Sequence, residues 1–172
     1  EDTLLLHLPS AGMLTVVAGN GNDGFKDGES ILAEFNLPTS ITVDRAGDIV
    51  LSDQGNHALR KVAKAGAAVT TLAGNGQPGF QDGLGAAARF IKPRGVVLTR
   101  EGEYAVSANH ALRVVSGAGE TRTLAGNGEP GFRDGVGAAA PFNGPVGLGV
   151  LTICDLEVAD SGKDEIRVVT MG

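Results

Sequence analysis

Three features of the 172-residue sequence predict an all-β fold assembled from repeated four-stranded antiparallel blades. The segment Ala18-Gly-Asn-Gly-Asn-Asp-Gly-Phe-Lys-Asp-Gly28 returns at Ala73 to Gly83 and again at Ala125 to Gly135, with seven or more of eleven positions identical. The offsets are 55 and 52 residues. Each period holds four short β-prone runs bounded by Gly, Asn or Asp, and no 3.6-residue apolar pattern. Glycine supplies 27 residues, roughly twice its average share of about 7%. Aromatics are only 4% and tryptophan is absent, so the core must be Val, Leu, Ile and Ala joined by glycine turns. Four antiparallel strands in a repeat of about 40 to 50 residues is the pattern of a β-propeller blade.

The elements follow in order. Leu4-Leu-Leu-His-Leu8 and Met13-Leu-Thr-Val-Val-Ala18 read as the third and fourth strands of a blade. After the glycine-rich loop, Phe25, Phe80 and Phe132 are each followed ten residues later by Phe35, Phe90 and Phe142. Three residues further stand Pro38, Pro93 and Pro145. In the first copy the strand Ser40 to Val43, the turn Asp44 to Gly47 and the strand Asp48 to Asp53 come next. A polar turn, Gln54 to His57, leads to the third strand, Ala58 to Val62, and a further turn to the fourth, Val69 to Leu72. The second copy is two residues shorter between Ser107 and Arg113, within the turn, where stacked repeats tolerate change. The third copy has Leu151-Thr-Ile-Cys154 in place of the Asp44 turn, and Lys163-Asp164 in place of the Asn-His pair. Its first hairpin is expected to be irregular. The division expected is 1–18 for the last two strands of one blade, then blades at 19–72, 73–124 and 125–172, the last without a fourth strand.

The stretches Ser52 to Val62, Val158-Ala-Asp-Ser-Gly162 and Ile166-Arg-Val-Val169, with the Thr-Leu-Ala-Gly lead into the second and third loops, resemble the NHL-repeat family of β-propellers. The likeness covers residues from about 14 to 170. It implies that the first strand of each blade lines the axis and the fourth lies outermost. It does not fix a function, because a fold of this kind hosts many. Some six-bladed NHL-like propellers are lyases that hold metals at the axis with His, Tyr and Arg, and others bind RNA on a basic face.

The residues themselves point to no catalytic set, no cofactor and no metal. The glycine loops precede no helix, so a phosphate cradle fails, and glycine at positive φ explains them. Asp27, Asp82 and Asp134, beside Asp23 and Glu129, are expected as turn-capping side chains, since one Asp per loop falls short of a calcium cage. His57 and His110 sit at equivalent turn positions beside Asn56 and Asn109, without a carboxylate or cysteine at ligand spacing, and His7 stands apart on an N-terminal strand. Ser52 and Ser107 lack a nucleophile elbow. Arg60, Arg113 and Arg167 recur in the third strand and are expected as an outward-facing solvated or ion-paired row. The lone Cys154 lies among apolar neighbours, as a buried small hydrophobe would. The loops carrying Asn20, Asp23, Asp27, Asn75, Asp82, Asn127 and Asp134 are the candidate interaction loops.

A net charge of −6 argues against nucleic-acid binding by the chain as a whole. No apolar run is long enough to span a membrane. The compartment stays open, because a chain beginning at Glu1 is compatible with removal of a targeting segment. Three blades fall short of the four to eight of closed propellers. Missing blades in a longer protein, a second copy or a different partner would complete the ring. The function expected is therefore a non-enzymatic protein-binding scaffold, with other subunits or a second copy as partners. A metal-dependent lyase or hydrolase completed by further blades is the alternative, and an RNA-binding propeller the second alternative.

Overall fold

The computed structural model describes residues 16–64, 68–151 and 155–171. They form three antiparallel sheets. The first contains β1 (Gly28–Glu29), β2 (Pro38–Val43), β3 (Ile49–Asp53), β4 (Ala58–Val62) and β5 (Ala68–Ala73), in the order β1-β5-β4-β3-β2. The second contains β6 (Gly83–Leu84), β7 (Pro93–Leu98), β8 (Tyr104–Ala108), β9 (Ala111–Val115) and β10 (Glu120–Ala125), in the order β6-β10-β9-β8-β7. The third contains β11 (Pro145–Val150), β12 (Asp155–Asp160) and β13 (Glu165–Thr170), in that order. The fold is a β-propeller of antiparallel blades. Among the described residues no helix is long and apolar enough to cross a membrane.

Local chemistry sets the turns. Asp44 closes the β2–β3 hairpin by accepting the N–H groups of Ala46 and Asp48, an Asx turn of the kind short acidic side chains favour. His57 ends the next turn at φ 54°, and in the shorter second copy the left-handed residue is Asn109 at φ 55°. Gly74 and Gly126 have φ of 98° and 85°, and each lies with its Cα hydrogen against a backbone carbonyl, of His57 and His110 respectively. A side chain at either position would meet both strain and a clash. The four strands expected per repeat are present in the first two blades. A fifth, two-residue strand was not expected: the glycine-rich loop turns back and adds β1 to β5 and β6 to β10. The fourth strand is therefore not outermost.

Blades stack through their alternating faces. Val50, Leu59 and Ala73 of the first blade form one cluster with Phe90, Val96, Tyr104 and Val106 of the second. Leu112 and Ala125 of the second blade pack with Phe142 and Val158 of the third. The first strands lie side by side, with β7 between β2 and β11. Polar bonds fix their register. Ser40 Oγ and Thr42 Oγ1 accept the Val96 and Leu98 N–H groups, each at 3.2 Å. Ser107 Oγ accepts the Gly95 N–H and donates to the Val146 carbonyl. Gly95 is required there, since a Cβ would collide with the Val146 carbonyl oxygen. Residues 1–15 and 152–154 lie outside the described residues, and with them the expected strand at Leu4 to Leu8, His7, Cys154 and the irregular turn.

Candidate binding surface

Each glycine-rich loop is held to its blade by one arginine. On β4, Arg60 is fully buried between the rings of Phe25 and Phe35, 5.0 Å from each centroid. Arg113 lies 4.8 and 5.2 Å from Phe80 and Phe90, and Arg167 lies 5.3 and 4.6 Å from Phe132 and Phe142. A guanidinium over an aromatic face, out of water, is worth about 2 kcal/mol. Arg60 also donates to Asp27, to the Lys26 and Glu34 carbonyls, and to the buried carboxylate of Asp53 at 2.7 Å. The expected outward-facing solvated row is thus corrected. The arginines are paired, but they point inward, because the phenylalanines ten residues apart fold over both faces of the planar side chain. Burial lowers the Arg113 pKa, opposed by the carboxylate of Asp82.

The loop residues divide by role. Asn20, Asn75 and Asn127 accept the N–H of Asn22, Gln77 and Glu129, so the Asx turns belong to the asparagines. Asp27 and Asp82 reach further than a turn cap. Asp27 binds Arg60 and accepts the Thr71 N–H, and Asp82 binds Arg113 and accepts the Thr123 N–H. Each ties loop, third strand and fourth strand together. Asp134 approaches Arg167 at 3.4 Å, and its side chain is otherwise wholly exposed. Asp23 is exposed and bridges to the backbone at Phe35. The seven candidate residues therefore share no single pocket. They lie on three separate loops.

The histidines hold adjacent blades together. His57 Nδ1 accepts the Lys92 N–H at 3.0 Å, and His110 Nδ1 accepts the Gly144 N–H at 3.1 Å. Burial, then the charge of Lys92, lowers the His57 pKa below its usual 6.5. With a lowered folded-state pKa, the contribution of neutral His57 is complete above 6.5 and is lost as pH falls through the folded value. Urea midpoints should therefore fall between pH 7 and 5 more steeply for the parent chain than for His57→Asn, whose side chain tolerates the left-handed backbone and does not titrate. Equal slopes would remove His57 from the acid response.

Tyr104, the one tyrosine, is buried and donates to Asp44 Oδ2 across the first two blades. Burial, then this bond to a carboxylate, raises its pKa. Burial acts to raise the Asp44 pKa, but the Asp48 N–H, Lys61 and Tyr104 together hold it below the usual carboxylate value. Among the described residues no three His, Cys, Asp or Glu side chains come together as a metal would need. A cleft of about 490 Å³ opens beside the first strands, lined by Thr39, Ser40, Gln54, Arg94, Gly95 and Leu148.

Apolar side chains stand exposed on the outer faces of the first and third blades. Leu59 and Leu112 are buried against the following blade, whereas Ile166, at the same register on β13, is 71% exposed. Val96 is buried against the preceding blade, whereas Ile41, its counterpart on β2, is 65% exposed. Leu37 and Val43 are exposed beside Ile41, and Val168 beside Ile166. Composition alone could not locate these surfaces. The repeat register does, once the facing of each strand is known.

No family model matches the chain. Over 91 residues, 51% of the chain, it is 33% identical to Protein SUPPRESSOR OF QUENCHING 1, chloroplastic, of Arabidopsis thaliana, of which it spans 9%. Among solved structures it resembles an auxiliary nutrient binding protein from Bacteroides thetaiotaomicron VPI-5482, with a TM-score of 0.64 and 21% identity over 77% of this chain and 37% of that one. A second, from Bacteroides ovatus ATCC 8483, gives 0.60 and 17% over 88% and 54%. A catalytically inactive virginiamycin B lyase from Staphylococcus aureus gives 0.53 and 15% over 77% and 38%. At these identities the likeness is one of fold, and it extends across binding proteins and a lyase.

Proposed function

We propose that this chain is an NHL-type propeller segment acting as a protein-binding scaffold within a larger assembly, and not as an enzyme. Residues 19–72, 73–124 and 125–172 each build a blade, and 1–18 supply the last strands of another. The observation that supports this reading is the exposure, among the described residues, of the apolar side chains of Leu37, Ile41 and Val43 on the first blade and of Ile166 and Val168 on the third. Contiguous exposed apolar surface of this kind marks a site of association. The polar groups a lyase would draw on have other work. The Nδ1 atoms of His57 and His110 accept N–H groups of the next blade, and the Tyr104 hydroxyl donates to Asp44. The loops with Asn20, Asp23, Asp27, Asn75, Asp82, Asn127 and Asp134 surround the blades as secondary contact points.

Gentle isolation of the native protein from its source, followed by native and denaturing mass measurement, tests the reading. A particle containing non-identical chains is the expected result. A closed particle with nothing docked on it would overturn the scaffold.

A further inference from the structure

We infer that the cleft beside the first strands binds a small carboxylate with a short apolar body, and that Arg94 holds the carboxylate. The site goes beyond the scaffold reading and stands or falls apart from it. Five of the described lysines and arginines are buried or partly buried: Arg60, Lys61, Arg94, Arg113 and Arg167. Four of them have carboxylate partners. Arg60 meets Asp27 and Asp53, Lys61 meets Asp44 and Asp48, Arg113 meets Asp82, and Arg167 meets Asp134 and Asp160. Arg94 has neither a carboxylate nor a ring against its guanidinium among the described residues. A guanidinium stays charged at any physiological pH, so removing it partly from water without a counter-ion is a cost that a bound anion would offset.

The blade does not call for this cation. Arg94 follows Pro93 at the start of β7, and the matching positions after Pro38 and Pro145 are Thr39 and Val146. Both are uncharged, and β2 and β11 form with the same six-residue length as β7. The arginine is therefore particular to the middle of the three first strands, where blades on either side enclose it.

The cleft has the size and the lining that such a ligand needs. Its volume of about 490 Å³ falls within the range of about 300–1,000 Å³ usual for small-molecule sites. Thr39, Ser40 and Gln54 come from the first blade, Arg94 and Gly95 from the second, and Val146, Gly147 and Leu148 from the third. No aspartate or glutamate is among these lining residues. The polar groups left over are donors. Ser40 Oγ accepts the Val96 N–H, which leaves its own O–H for a ligand. The side-chain amide of Gln54 has no partner among the described residues. Gln54 stands in the turn that is two residues longer in the first blade than in the second, so the added length brings a donor to the cleft. Thr39 Oγ1 donates to the Arg94 carbonyl at 3.0 Å and fixes the backbone from which the guanidinium projects.

These groups select the ligand. The parallel N–H groups of a guanidinium match the two oxygens of a carboxylate. A single cation in a chain of net charge −6 favours a singly charged anion over a phosphate dianion. The side chains of Val146 and Leu148 offer apolar surface to a short hydrocarbon part. A free organic acid and the terminal carboxylate of a peptide share this chemistry.

Isothermal titration of the purified 172-residue chain tests the site, with 3-methylbutanoate, its uncharged amide, inorganic phosphate and N-acetylglycylvaline as probes. The carboxylate should bind saturably below about 10 mM, and the amide and phosphate should not. Arg94→Gln should weaken binding about tenfold or more, and Arg94→Lys, which keeps the charge but loses the fork, by less. Gln54→Glu should also abolish binding, because its carboxylate would compete for Arg94. None of the three should lower the urea midpoint, since neither side chain holds a partner in the fold, and this separates lost binding from misfolding. N-acetylglycylvaline binding at least tenfold tighter than 3-methylbutanoate would identify a peptide terminus as the source, and equal or weaker binding a free acid. Equal affinity for the amide or for phosphate, unchanged affinity in Arg94→Gln, or no saturable binding of either carboxylate would each overturn the site.

Discussion

Replacement of Arg60 by methionine should lower the unfolding free energy by about 3–5 kcal/mol, the cost of leaving a buried charge without its partner. The orphaned group is the carboxylate of Asp53, which is 0% exposed and among the described residues keeps the Asn36 N–H and the Asn56 amide as donors. Methionine fills much of the same slot between Phe25 and Phe35, so the loss measures charge and hydrogen bonding more than volume. Arg113 is the internal comparison. It is equally buried, but Ala108 stands where the first blade has Asp53, and its carboxylate partner Asp82 is half exposed. Arg113 Nε also has no acceptor among the described residues. Arg113→Met should therefore cost clearly less than Arg60→Met in the same urea titration. The double replacement Arg60→Met with Asp53→Leu should recover much of the first loss. Equal costs for the two arginines would show that the aromatic sandwich, and not the buried ion pair, carries the stability.

Phe90→Ala should cost about 3–5 kcal/mol, the usual range for a large ring removed from a packed core. Phe90 is wholly buried between the first two blades and closes one face of the Arg113 sandwich. Phe35 has the same position in the first blade and the same relation to Arg60, but it faces outward and is only partly buried. Phe35→Ala should cost roughly half as much in dilute solution, since burial scales with the apolar area removed from water. The same pair of variants also reads the state of the end face. If a second copy covers it, the cost of Phe35→Ala should rise with protein concentration while that of Phe90→Ala stays constant. Unfolding midpoints at two concentrations a hundredfold apart would distinguish the cases.

Sequence alone determined the blades and their turns. Asp44, Gly74 and His57 act within a few residues of themselves, through Asx bonds and left-handed backbone, and such preferences are written locally. The run from Ala58 to Val62 is the strand β4 itself, and β2, β3 and β5 differ from the runs read in the sequence by one or two residues at their ends. The period then fixed the architecture, because a repeat that cannot bury its own face must stack on its neighbour. The loop asparagines and aspartates were legible as a set, but not in their separate roles. Tertiary structure decided the rest. Arg60 meets Asp27 across 33 residues and Tyr104 meets Asp44 across 60, and nothing local distinguishes an arginine bound for a phenylalanine sandwich from one bound for solvent. A strand shows two faces of similar apolar character, and only the stacking of blades decides that Leu59 is covered while Ile166 stands open. Whether a face is covered is set by neighbours in space, which is why the exposed apolar side chains emerged from the packing and not from the repeat.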